Sequence, residues 1–189
     1  MVSFEEDIEN CLPVLKSGGL VLYPTDTVWG IGCDATNEQA VQKIFALKKR
    51  SDEKAMIVLT ADEVDILKYT ASPDLSVFDY LAQTKKPTTV IYEGAIGLAN
   101  NLISKDGSIA IRICSERFCK HLIKRFRKPL VSTSANLSNQ PSSQLFIDIP
   151  EEIKNGVDYI VQYRQDDKKI ASPSSIIKWK NGIITIIRP

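Results

Sequence analysis

Histidine is nearly absent from this chain. Among 189 residues there is one histidine, His121. The residues around it have the spacing of an amphipathic helix whose apolar side carries Phe118, Leu122 and Phe126, so His121 is predicted on the solvated face. A hydrolase that relies on a histidine base, and a metal centre built from several histidines, are therefore disfavoured.

Paired cysteines and long apolar runs are missing as well. The four cysteines are scattered and form no CxxC pair, which argues against a zinc site or a disulfide framework and favours buried thiols. They are Cys11, Cys33, Cys114 and Cys119. No apolar run approaches the roughly 20 residues that cross a bilayer, and the first residues are acidic rather than signal-like. We therefore expect a cytoplasmic protein that has no membrane partner.

Charge of one sign is not in excess. The formal net charge is +1, from 24 basic and 23 acidic residues, which argues against a protein that mainly coats nucleic acid but leaves room for a local basic patch.

No glycine-rich Walker loop occurs, so a nucleotide would not be bound in a P-loop. Length and composition, with 43% hydrophobic residues, predict one globular domain over residues 1–189.

Helical and strand patterns alternate along the chain. Helices are predicted to begin near Phe4, Thr36, Thr60, Ser72 and Ser115. Strands are predicted at residues 20–23, 56–59, 88–92, 109–113, 130–133, 174–179 and 183–187. Asn181 and Gly182 separate the last two strands and are typical of a hairpin, so part of the sheet must be antiparallel. The predicted fold is α/β, with a twisted mixed parallel/antiparallel sheet and flanking helices around a concave, positively charged cavity.

Three cations follow one of the predicted helices. Lys48 and Arg50 lie where the helix that opens at Thr36 ends, and Lys54 follows in a polar loop. Cations are common at a helix C-terminus because they complement its dipole, so the pattern alone does not require a ligand. It would also suit a polyphosphate, because arginine makes bidentate contacts and lysine offers a compact charge.

Small hydrogen-bonding side chains follow the predicted strand 130–133. Ser132, Ser134, Asn136 and Ser142 could serve only as turn and capping residues. In open α/β sheets, however, ligands collect at the carboxyl ends of strands, where short polar side chains let a loop approach phosphate oxygens. The segment is therefore a candidate phosphate loop.

Two further features place polar groups beside apolar segments. Thr27 lies in the compact turn 24–27. The turn could have a structural role only, as a bend stabilised by its own hydroxyl and carboxylate groups. Arg112 interrupts the apolar strand 109–113, where it either faces solvent or needs a partner.

Taken together, these segments resemble the family that contains bacterial threonylcarbamoyl-AMP synthase and the larger Sua5-type enzymes. Lys48 and Arg50 match its KxR signature, and Ser134 and Asn136 match its SxN signature. The run 24–32, PTDTVWGIG, is similar to the family's PT(D/E)TxYG(L/I)G segment. Further matches are the strand 109–114, the serine-rich segment 172–175 and Arg188. The resemblance covers most of the chain and is to the short bacterial form.

The resemblance also implies roles for individual residues. It assigns to ATP the residues Arg50, Lys54, Ser108, Ser134, Asn136, Ser142 and Arg188, with Lys48 and Arg50 as the catalytic cations. It assigns to threonine the residues Thr27, Arg112, Ser132 and Ser174. Departures from the family pattern are Trp29 for tyrosine, Ser51 for proline, Asn139 for glycine, and Leu59 where longer relatives carry a histidine.

The activity implied by the resemblance joins L-threonine, bicarbonate or CO2, and ATP into L-threonylcarbamoyl-AMP and pyrophosphate. Mg²⁺ is expected on the ATP phosphates, and no protein ligand to it is assigned. The implied partners are proteins that use the product to modify tRNA, and tRNA or double-stranded RNA is itself a candidate partner.

Two alternatives stay open at this point. One is an RNA-binding or ribosome-assembly module, for which salt-sensitive RNA binding without ATP turnover would be the sign. The other is a carbamoyl-adenylate-processing domain like that of hydrogenase maturation proteins, whose companion motifs the sequence lacks.

Overall fold

Nine strands form one sheet in the structure, a computed structural model that describes residues 4–49, 56–170, 172–180 and 182–189. The strands are β1 (Val21–Tyr23), β2 (Gly30–Gly32), β3 (Ile57–Thr60), β4 (Thr88–Tyr92), β5 (Ile109–Ile113), β6 (Leu130–Ser134), β7 (Tyr159–Ile160), β8 (Ser175–Lys180) and β9 (Ile183–Arg188). Their order across the sheet is β7-β1-β2-β6-β3-β5-β4-β8-β9. Three neighbouring pairs are parallel, β1 with β7, β3 with β5 and β4 with β8, and the other five are antiparallel. The predicted mixed α/β fold is therefore confirmed.

Six α-helices accompany the sheet within the described residues. They are α1 (Phe4–Lys16), α2 (Glu38–Lys48), α3 (Glu63–Ile66), α4 (Ser76–Gln83), α5 (Arg117–Phe126) and α6 (Glu151–Asn155). Helices α1 and α5 pack against each other, because each buries one apolar stripe and leaves its charged face in solvent. His121 is exposed on α5, as predicted. All four cysteines are free and buried. No helix within the described ranges is long and apolar enough to span a membrane.

Helix starts are the least accurate part of the sequence prediction. Helix α2 is capped by Asn37, whose side chain accepts a hydrogen bond from the Ala40 amide, and not by Thr36. Helix α3 is likewise capped by Asp62, because Thr60 already belongs to β3. Helix α4 starts at Ser76 rather than at Ser72, whose φ of 51° lies in the left-handed region.

Strand boundaries agree better with the sequence. Strands β4 and β5 match their predicted bounds, and β1, β3, β6, β8 and β9 differ by one residue at one or both ends. Two short strands, β2 and β7, were not predicted, since a Gly-Ile-Gly segment and a two-residue strand carry almost no local strand signal. Arg50, Lys54 and the hairpin residue Asn181 lie outside the described residues.

Candidate active site

A cavity of about 180 Å³ is lined by residues from the ends of β6 and β9, from the starts of β2, β3 and β8, and by Arg112 of β5. The pairing of the strands explains why segments far apart in sequence meet there. Ile57 at the start of β3 lies beside Ser132 of β6 on one side and Ala110 of β5 on the other. The cavity is lined by Thr27, Val28, Trp29, Gly30, Met56, Ile57, Arg112, Ser132, Thr133, Ser134, Ser142, Pro173, Ser174, Ile176 and Arg188.

The turn between β1 and β2 presents Thr27 to the cavity. The Thr25 hydroxyl oxygen accepts a hydrogen bond from the Thr27 amide at 3.0 Å and donates to the Val28 carbonyl at 2.7 Å. The same oxygen lies 3.0 Å from the Thr27 hydroxyl. The turn is therefore held by Thr25, as a hydroxyl-stabilised bend, and it leaves the neighbouring Thr27 on the cavity wall.

Gly30 keeps the cavity open beside this turn. It pairs with Ser134 across β2 and β6, and a Cβ atom at position 30 would lie 2.9 Å from the Ser132 hydroxyl oxygen. Any side chain there would displace Ser132, so the close approach of the two strands requires glycine.

Arg112 is a buried cation on the cavity wall, with 3% of its surface exposed. Its Nη2 lies 3.1 Å from Asp26 Oδ1, an ion pair whose geometry falls short of a hydrogen bond. Asp26 is fixed from its other side, where Oδ2 accepts from the amide and the hydroxyl of Ser115 at 3.0 and 3.2 Å. Arg112 Nε is buried and has no hydrogen-bond acceptor among the described residues. The guanidinium is thus oriented by Asp26 and has one buried donor that the described residues leave unpaired.

A second guanidinium, that of Arg188, lines the same cavity. Its Nε and Nη2 donate to the Ser174 carbonyl at 3.0 and 2.8 Å. The Ser174 hydroxyl, in turn, lies 2.8 Å from the hydroxyl of Thr89. Burial, and after it the positive charge of Arg112, lowers the pKa of Arg188 from its ordinary value. An anion placed between the two arginines would offset both effects.

Lys48 lies behind the cavity wall rather than on it. Its side chain is 1% exposed, and its ammonium donates hydrogen bonds to the carbonyl of Ser134 and, at 2.5 Å, to that of Asn136. Asn136 continues the network, since its side-chain amide donates to the carbonyls of Leu137 and Gln140 at 2.9 and 2.7 Å. The lysine and the asparagine therefore hold the loop after β6 in shape from within.

The structure brings together seven of the residues predicted for the site. The residues that line the cavity are Thr27, Arg112, Ser132, Ser134, Ser142, Ser174 and Arg188. Three others are placed elsewhere: Lys48 and Asn136 support the loop after β6, and the Ser108 hydroxyl donates to Asp106 at 2.6 Å. Their assignments to catalysis and ATP stay predictions, as do those of Arg50 and Lys54, which lie outside the described residues.

Two contributions were missed from the sequence. Asp26 was considered as a turn residue only, whereas its carboxylate orients Arg112. Trp29 was noted as a substitution, but the residue lines the cavity and its ring packs on Phe146 with centroids 4.8 Å apart. A carboxylate next to the predicted threonine contact was the signal that could have indicated the ion pair.

Comparison with known sequences gives a consistent result. The family model for Sua5, YciO and YrdC proteins, described as telomere recombination, matches residues 13–189. The threonylcarbamoyl-AMP synthase of Idiomarina loihiensis is 32% identical over 167 residues, which cover 87% of this chain and 89% of that protein. The threonylcarbamoyl-AMP synthase of Pseudoalteromonas translucida is 31% identical over 163 residues, covering 85% of this chain and 87% of that protein.

Solved structures share the fold. P. abyssi Sua5 in complex with L-threonine superposes with a TM-score of 0.87 at 20% identity, over 100% of this chain and 55% of that one. E. coli YciO superposes with a TM-score of 0.82 at 20% identity, over 96% of this chain and 87% of that one. The chain thus spans a little more than half the length of the Sua5 protein, and the likeness to both structures is one of fold.

Proposed function

Because the chain belongs to the Sua5/YciO/YrdC family, we propose that it is a threonylcarbamoyl-AMP synthase, which joins L-threonine, bicarbonate or CO2, and ATP into L-threonylcarbamoyl-AMP and pyrophosphate. The observation that carries the proposal is Arg112, whose buried Nε has no acceptor among the described residues while its side chain lines the cavity. An unsatisfied buried donor is costly, and a ligand carboxylate supplies both the acceptor and a balancing charge.

The amino-acid half of the proposed site surrounds Arg112. The threonine carboxylate binds to the guanidinium, which Asp26 holds in position. The hydroxyls of Thr27 and Ser132 line the same cavity and can hydrogen-bond to the polar groups of threonine. This arrangement leaves the threonine amine free to react, since no carboxylate side chain of the described residues lines the cavity.

The nucleotide half of the proposed site lies toward Arg188. Its guanidinium, anchored on Ser174, faces the same cavity as the hydroxyls of Ser134 and Ser142. Guanidinium and hydroxyl donors are suited to phosphate oxygens, and a bound phosphate would counter both the burial and, after it, the repulsion by Arg112 that lower the pKa of Arg188. Lys48 contributes indirectly, because it fixes the main chain that carries Ser134.

The reaction needs no protein nucleophile. The threonine amine attacks CO2, forming an N–C bond and losing a proton to solvent, which gives the carbamate. A carbamate oxygen then attacks the α-phosphorus of ATP, and the bond to the departing pyrophosphate breaks. Positioning and charge stabilisation carry most of such a phosphoryl-type transfer, in agreement with a site rich in hydrogen-bond donors.

In this scheme Mg²⁺ enters with the triphosphate. Within the described ranges no group of three or more histidine, cysteine, aspartate or glutamate side chains could hold a metal. Asp26, the acidic residue next to the cavity arginine, is engaged by Arg112 and Ser115. We therefore assign to the ion no protein ligand and no step. We further propose that the adenylate is passed to proteins that modify tRNA.

The test is direct analysis of the product. Purified protein is incubated with ATP, Mg²⁺, bicarbonate and one amino acid at a time, and pyrophosphate and the adenylate are measured by mass spectrometry. The expected result is threonylcarbamoyl-AMP that depends on bicarbonate and is formed from threonine well above other amino acids. An Arg117→Ala variant, altered at an exposed arginine, serves as the control and should be active. Salt-sensitive RNA binding without any turnover would contradict the proposal and favour an RNA-binding module.

A further inference from the structure

The last strand of the sheet exposes an unusual amount of apolar surface. Strand β9 lies at the edge of the sheet and pairs with β8 only. Its isoleucines are exposed, with relative accessibilities of 69% at Ile183, 38% at Ile184, 67% at Ile186 and 56% at Ile187. Edge strands of stable proteins are usually protected by charges, prolines or bulges along the strand, because unpaired main-chain groups and apolar side chains invite a further strand.

The order of residues in β9 indicates which strand could pair with its free edge. The segment Ile183-Ile184-Thr185-Ile186-Ile187 reads the same in both directions around its central threonine. In an antiparallel pairing of two copies centred on Thr185, Ile184 lies opposite Ile186 of the other copy and Ile183 lies opposite Ile187. Ile184 then meets Ile186 on the same face of the sheet, whereas Ile187 lies at a register shift between the pairs Ile176–Arg188 and Ile177–Ile186.

Charge and geometry are compatible with this pairing. The same register places Arg188 opposite Gly182, so no like charges oppose each other across the two strands. The Arg188 side chain bonds to Ser174 on the β8 side and is left in place. Because the pairing uses the same edge of both copies, it closes at two chains and forms no open fibre.

We propose that β9 is a self-association surface, through which two copies of this chain form a twofold dimer by antiparallel β9–β9 pairing centred on Thr185. The contact is one strand wide and belongs to the small interfaces, below roughly 1,200 Å², that give weak and transient complexes. The dimer therefore forms reversibly as concentration rises. The inference rests on the edge strand and does not depend on the proposed enzymatic function.

The test uses sedimentation velocity on the full chain over concentrations from about 5 to 500 µM, a range suited to weak association. The wild-type chain should shift from monomer to dimer across this range. Ile184→Glu and Ile186→Lys, each of which sets a charge against an apolar partner, should remain monomeric on their own. Mixed together they should dimerise again, since the glutamate of one chain then opposes the lysine of the other.

A matched mixture checks the register. Ile183→Glu mixed with Ile186→Lys places the two charges on opposite faces of the sheet, so this mixture should stay monomeric. Circular dichroism of each variant establishes that it is folded, as expected for changes at exposed positions. A wild-type chain that is monomeric at every concentration, or a dimer that survives both single substitutions, would overturn the proposal. Association of the mismatched mixture would overturn the register.

Discussion

Two polar clusters border the cavity, and they differ in how their hydrogen bonds are used. In the loop after β6, Lys48 and Asn136 direct their donors to main-chain carbonyls of the loop itself. At the end of β5, by contrast, Arg112 is paired with Asp26 on one side and keeps Nε without an acceptor among the described residues. We infer that Lys48 and Asn136 hold the cavity wall in shape, whereas Arg112 binds the ligand. The segments that match the family include residues of both clusters.

The strongest test of this contrast is Lys48→Met, which should destabilise the protein. The buried carbonyls of Ser134 and Asn136 would lose their donor, and each buried acceptor left unsatisfied costs about 1–3 kcal/mol, so we expect a loss of about 3 kcal/mol in the free energy of unfolding. Urea denaturation measures it. The control is Lys49→Met, since Lys49 is exposed and ion-paired at the surface. Equal stability of the two variants would contradict the assigned role of Lys48.

Asn136→Ala should have the next largest effect on stability. The substitution leaves the carbonyls of Leu137 and Gln140 without their side-chain donor, and we expect a loss of about 1–2 kcal/mol. Activity should fall as well, because the loop that carries Ser134 loses its shape. If denaturation midpoints of the variant and the wild type coincide while activity collapses, Asn136 acts on the ligand and not on the loop.

Ser134→Ala provides the reverse case in the same loop. Ser134 lines the cavity, and Lys48 binds its main-chain carbonyl, which alanine retains. Stability should change by less than about 0.5 kcal/mol, as at positions without a buried contact, while the rate of adenylate formation falls about tenfold. Unchanged kinetics would remove this hydroxyl from the ATP half of the site.

A smaller effect is expected on the pH dependence of stability, through Glu116, which lies next to the support of the turn at Thr25. Glu116 caps α5 through the Cys119 amide and pairs at 3.5 Å with Arg164, which donates to the Thr25 carbonyl. Burial raises the pKa of Glu116. The folded state therefore holds this proton more tightly than the unfolded state, and stability falls as pH rises from the ordinary glutamate pKa through the raised one.

Glu116→Gln should remove that part of the pH dependence while it keeps an acceptor for the cap. The measurement is a series of urea denaturation midpoints from about pH 4 to pH 7, a range that brackets the titration. Glu5→Gln, at an exposed position of α1, is the control and should leave the profile unchanged. A wild-type profile that rises with pH over this window and is unaltered in Glu116→Gln would contradict the assignment.

The sequence predicted features that depend on neighbours along the chain. The strand 109–113 with its arginine, and the polar loop after the strand 130–133, both lie where expected, since alternation and turn residues are local signals. It did not predict partners that the sheet brings together from afar. Lys48 reaches Ser134 and Asn136 across more than 80 positions, and Ser115 reaches Asp26 across 89. No spacing rule along one chain indicates such pairs, so Lys48 could be recognised as a cation but not as a support.

The central claim is that Arg112 binds the carboxylate of threonine. Arg112→Lys keeps the charge but removes the fork, so threonine affinity should fall at least about tenfold, as when a charge-assisted hydrogen bond is lost, while ATP affinity changes much less. The measurement is calorimetric titration of each ligand into the wild type and the variant at one salt concentration. Unchanged threonine affinity together with a collapse of ATP affinity would contradict the account. Arg112 would then belong to the ATP half of the site and not to the threonine half.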